Sequence, residues 1–133
     1  MRIVYDDTHI RELYELVSDF LTITLRGENL QRIVKRDYSM DRVQSADLKN
    51  MLNNHLGRYS FEIGDDVYHA NGIGNNCRHP VYYHSAQGEM QQCGYINFNT
   101  DMYSSVYVYV SDYNDKKFAA SFKVSPCGVT WHR

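Results

Sequence analysis

The sequence predicts an α+β fold, with three N-terminal helices packed on a curved antiparallel sheet of five to seven strands. Two observations carry that prediction. Through residue 57 the apolar positions recur every three or four residues, the period of a helix with one buried face. From residue 58 the period drops to two, and nine of the twelve tyrosines fall in this second part. Helical and extended stretches are thus segregated rather than alternating, which favours α+β over a parallel α/β sheet. At 133 residues the chain reads as one domain, a helical part over 1–57 and a sheet part over 58–133.

Asp7-Thr8 offers a cap for the first helix. Ile10, Leu13, Tyr14, Val17, Phe20 and Leu21 then form one stripe, and Gly27 is a stop. A second helix runs from Glu28 to about Tyr38, with Leu30, Ile33 and Val34 inward and Lys35-Arg36 near its end, where cations suit the helix dipole. Ser45 is placed to cap a third helix, whose buried stripe is Leu48, Met51, Leu52 and Leu56 and which ends at Gly57.

Tyr59-Phe61-Ile63 opens the sheet, followed by a turn at Gly64-Asp65-Asp66 and a short run at Val67-Tyr68-His69. The composition of Asn71 to Asn76 is that of a loop, and its glycines lack the helix and lysine of a phosphate cradle. Val81–His84 is a strand placed after Pro80, a residue tolerated at strand starts and edges. The strands Gln91–Phe98, Tyr103–Val110 and Lys117–Val124 are joined by short turn-rich connections, which predicts a meander. Gly128–Trp131 is a last short strand. In Tyr103–Val110 the valines and the tyrosines alternate, so this strand is expected to be central and covered on both faces.

Charge and motifs narrow the function. The net charge of −2 divides evenly, eight basic against nine acidic residues up to Gly57 and six against seven after it. Neither half supplies the basic footprint that nucleic-acid binding requires. No apolar run approaches the length of a membrane helix, about 20 residues. Cys77, Cys93 and Cys127 are an odd number at wide spacings, unlike a disulfide framework, and point to a reducing cytoplasm.

The segment His69 to His84 is the densest in reactive groups. His69, Cys77, His79 and His84, with Cys93, could serve as metal ligands or as a cysteine–histidine pair. Their spacing matches neither paired zinc-ligand patterns nor a local nucleophile signature. Histidines in surface loops and cysteines as small core residues account for them as well. No motif requires a metal or cofactor, and the reading leans to binding over catalysis.

Tyrosine carries an apolar body and a polar tip, and it is enriched at protein interfaces. The tyrosines of 58–133 are too many for one small core. The expected function is therefore a non-catalytic protein that covers a protein partner, as inhibitors, antitoxins and immunity proteins do. Tyr82, Tyr83, Tyr107, Tyr109 and Trp131 are its candidate contacts, with acidic help from Asp112 and Asp115. The alternative is a small enzyme or ligand pocket built around His69, Cys77, His79 and His84.

Overall fold

A computed structural model describes residues 3–6, 8–33, 41–65, 68–69, 77–100, 105–112, 119–125 and 127–132, with 41–46, 68, 69, 77, 100, 119, 131 and 132 as backbone alone. The chain is an α+β mixture. Strand β1 (Ile3–Tyr5) precedes helix α1 (Ile10–Asp19), a π turn (Phe20–Thr24), α2 (Glu28–Ile33) and α3 (Asp41–Gly57). Seven strands follow: β2 (Phe61–Ile63), β3 (Tyr68–His69), β4 (Cys77–His84), β5 (Met90–Thr100), β6 (Val106–Asp112), β7 (Ala119–Ser125) and β8 (Gly128–His132).

The helix starts differ from the sequence expectation. Helix α1 has His9 at its N-cap with no side-chain cap bond. Just before it the Asp6 carboxylate accepts from the Thr8 amide at 3.0 Å and the Thr8 hydroxyl at 2.6 Å, while Asp7 lies outside the described residues. At the other end of α1 the ladder widens, and the Leu25 amide donates to the Phe20 carbonyl at 3.0 Å, a five-residue closure. Gly27, with φ near +60°, then turns the chain into α2. The continuation of α2 expected to Tyr38 lies outside the described residues. Helix α3 begins at Asp41, so Ser45 falls inside it rather than at its cap.

Strands β4 to β8 form the predicted meander, each antiparallel to the next. The turn expected at 85–88 is closed by the Ser85 amide donating to the Glu89 carbonyl at 2.9 Å, with Gly88 at φ +80°. Two further features were not in the sequence reading. Strand β1 pairs in parallel with β5 at Met90–Gln92, beyond the point where β6 ends opposite Gly94. The outer edge of β4 is likewise divided, between β3 opposite 77–78 and β2 opposite 81–83.

Pro80 sits at that division, inside a strand that begins at Cys77 rather than after the proline. Its carbonyl accepts from the Gly64 amide at 2.8 Å, so its ring nitrogen faces the same edge, where neither short strand is paired. A missing N–H there removes no ladder bond. Cys93 is the extra residue of a bulge, since Val81 pairs with Gly94 and Tyr82 with Gln92. Its thiol donates to the Val81 carbonyl at 3.4 Å.

One buried cluster contains Leu13, Val17, Leu21, Ile33, Leu48, Leu52 and Leu56 from the helices together with Phe61, Val81, Ile96, Phe98, Val108 and Phe122 from the sheet. The Tyr14 ring stacks on Phe122 at 5.8 Å. At Gly94 α1 meets the sheet, with the Ile10 side chain over the glycine. Strand β6 is central, as expected, and its two faces differ: Val106, Val108 and Val110 are buried, whereas Tyr107 is part-buried and Tyr109 is 39% exposed.

A tyrosine-bearing sheet face as candidate functional site

The alternation of β6 builds this face. With its even-numbered residues buried, Tyr107 and Tyr109 stand on the opposite side. Cross-strand register extends the face into rows, because directly opposed residues share a side of an antiparallel sheet. Arg78, Asn97, Tyr109 and Ser121 make one row, and Asn99, Tyr107, Lys123 and Thr130 the next. Tyr95 lies between Pro80 and Ser111, and Tyr82 lies between Glu62 and Gln92. Beyond Gln92 comes Tyr5 of β1, which is 56% exposed.

Cations lie across these rings. The Arg78 guanidinium is 3.7 Å from the Tyr95 ring centre, and the Lys123 ammonium is 5.8 Å from that of Tyr107. Such contacts hold the long side chains against the sheet and orient the rings. The Tyr82 hydroxyl is shifted above its ordinary pKa, first by burial and then by Tyr5, Tyr95, Glu62 and Asp65 around it. It therefore stays neutral, a donor as well as an acceptor, throughout the physiological range. The Asn97 side-chain oxygen is buried and has no hydrogen-bond partner among the described residues.

Of the predicted contacts, Tyr82, Tyr107 and Tyr109 are brought together here. Tyr83 is not. It lies on the core side, with its ring stacked 3.9 Å from His9 and tilted 5.2 Å from Phe61. Asp112 is also turned away, fully buried at the end of β6 opposite Gly94. Trp131 is registered opposite Phe122, but its side chain, like all of Asp115, lies outside the described residues. Tyr5, Arg78 and Asn97 were missed by sequence reasoning. The β-branched and aromatic run Ile3-Val4-Tyr5 was the available sign of a first strand.

Of the alternative site, the side chains of His79 and His84 are described, and they are not brought together. His79 is 6% exposed; its Nδ1 donates to the Gly64 carbonyl at 2.9 Å, and its ring meets Phe98 edge-on at 5.7 Å. His84, five residues along the same strand, presents to the other face and bonds the Glu62 carboxylate at 3.1 Å. Odd spacing in one strand keeps these two histidines apart. His69 and Cys77 are opposed in register, with their side chains outside the described residues. Cys93 is buried, and loss of hydration pushes its thiol up to about 12, so it is protonated and unreactive at neutral pH. The Cys127 thiol is exposed. Among the described residues no three metal-ligating side chains converge, and no helix is long and apolar enough to cross a membrane.

Two clefts are lined by other described residues. One of about 430 Å³ runs between the π turn and the Cys127-Gly128-Val129 turn, and another of about 330 Å³ lies against the end of α3. Compared with family models, curated proteins and solved structures, the chain matches none of them.

Proposed function

We propose that this chain is a small binding protein whose tyrosine-bearing sheet face covers a protein partner, an inhibitor-type role. One observation carries the reading. The period-two pattern of β6 leaves Tyr107 and Tyr109 on the side away from the core, in register with Asn97, Arg78 and Lys123. Tyrosine and arginine dominate the energetics of protein interfaces because they bury large areas while keeping polar tips paired. The described residues of this face carry Arg78, Lys123 and Glu62, a mixed set that suits a protein surface of mixed charge. Single-stranded nucleic acid is the weaker fit, since its affinity rests on free cations, and Arg78 and Lys123 are both engaged by tyrosine rings.

In this reading the three helices form a supporting layer on the other face of a curved sheet, holding it stiff enough to present a preorganised surface. Free Cys93 and Cys127 support a reducing, cytoplasmic setting.

The test is native mass spectrometry of the protein purified gently from its own host, beside the double variant Tyr107→Ala/Tyr109→Ala. A second chain bound to the parent and lost from the variant is the expected result. Hot-spot energetics predict a weakening of about 30-fold or more. The variant should still unfold within about 5 °C of the parent, because neither ring is in the buried cluster. Equal partner occupancy in parent and variant would refute the assignment.

A further inference from the structure

Helix α3 and the turn that follows it carry a second stripe beside the buried one. Met51, Asn54, His55 and Arg58 follow the i, i+3, i+4, i+7 spacing, and they line the cleft of about 330 Å³ together with Phe20 and Thr24. Phe20 and Thr24 reach the cleft from the first helical segment, four residues apart and so on one side of it.

His55 is the unusual member. Its ring is held edge-on to Phe20 at 5.3 Å and tilted against Tyr59 at 5.6 Å. Its Nε2 is buried and has no hydrogen-bond partner among the described residues. A buried ring nitrogen left so is a standing cost to the fold, and such groups call for an explanation beyond stability. Arg58, three residues on and exposed, has no ion-pair partner among the described residues either. One cleft thus holds an apolar floor from Phe20 and Met51, a fixed cation, and an unspent imidazole nitrogen.

We infer that this cleft binds a small aromatic carboxylate, independently of the tyrosine-bearing face. The flat ring lies against Phe20 and Met51. The carboxylate takes the two parallel donors of the Arg58 guanidinium, a geometry that lysine or a neutral donor cannot supply. His55 Nε2 and the Asn54 amide complete the polar end. A volume of about 330 Å³ is at the small end of ligand pockets and fits a single ring. The C-terminal end of a helix ordinarily repels anions. Here the carbonyls of His55, Leu56 and Gly57 are already occupied by the amides of Arg58, Tyr59 and Ser60 at 3.3, 2.9 and 3.4 Å.

The experiment is an NMR titration of the whole chain with benzoate, following the His55 imidazole and the Thr24 amide. Benzyl alcohol, which has the ring without the charge, is the comparison. Saturable shifts at both sites are expected with benzoate, with Arg58→Gln weakening binding about tenfold or more. Because Arg58 is exposed, that variant leaves the core intact. Absence of saturable shifts would overturn the proposal. So would equal binding of benzyl alcohol, or an Arg58→Gln variant that binds benzoate as the parent does.

Discussion

Replacing Gly94 with alanine tests the junction of helix and sheet directly. A Cβ at this position would fall well inside contact distance of the Ser111 carbonyl oxygen and 2.9 Å from Ile10 Cδ1. The isoleucine tip can turn aside. The carbonyl cannot, because Ser111 is held between Tyr95 and Ala119 in the centre of the sheet. Overpacking of this kind costs about 1–3 kcal/mol, toward the upper end where backbone is the obstacle. Stiffening of the unfolded chain returns about 0.4–1 kcal/mol, which leaves a net loss of about 2 kcal/mol.

With about 2.1 cal/mol/K of unfolding entropy per residue, 133 residues give about 0.28 kcal/mol/K. The melting temperature should therefore drop by about 7 °C, read by circular dichroism. Gly57→Ala is the control, since its Cβ meets nothing within 4 Å, and it should gain about 2–4 °C by improving a helix. Ile10→Ala should cost less in the Gly94→Ala background than in the parent, because the two sites are in contact. A Gly94→Ala protein melting within about 2 °C of the parent would refute the β5–β6 register and the seat of α1 on it.

Thiol chemistry gives two more predictions. In a Cys77→Ser background, Cys127 should label rapidly, whereas Cys93 should label only as fast as the chain opens, as followed by mass spectrometry. With its folded pKa raised to about 12 from 9.0, Cys93 contributes stability that is complete below pH 9 and is lost as pH rises toward 12. The sign follows because the unfolded thiol ionises first, and the slope is about 1.4 kcal/mol per pH unit, a slope that Cys93→Ala should remove from urea titrations. His79→Phe keeps a ring against Phe98 but deletes the donor to the Gly64 carbonyl. It should lower the urea midpoint by an amount equivalent to about 1–2 kcal/mol at unchanged m.

Much of the sheet was legible because alternation is a local property. The phase of β6 is visible from its valines, and extending that phase by two residues beyond Val110 would have turned Asp112 inward. Tyr82 and Tyr83 carry the same lesson. Neighbours in a strand face opposite ways, so both could not join one surface, and only tertiary packing against His9 and Phe61 decided which went in. What period alone could not reveal was pairing. The parallel docking of β1 and the split edge that admits Pro80 depend on which strands end early, a matter of global geometry. A cap signal such as Ser45 places a helix start only to within a few residues, and α3 starts at Asp41. For the cleft at α3, the Met51 to Arg58 spacing was readable, but the unpaired nitrogen of His55 was not.

The pairing of β1 with β5 has a consequence for how the chain is made. Ile3 and its partner Met90 are 87 residues apart, the difference of their two positions. At synthesis rates of about 5–20 residues per second, the first strand waits about 4–17 s before its partner exists. Through that interval Ile3-Val4-Tyr5 is an unpaired edge segment with nothing to complete, and the loop it eventually closes is among the longest the fold contains. Strand β1 is thus secured only after β2, β3 and β4 have been made.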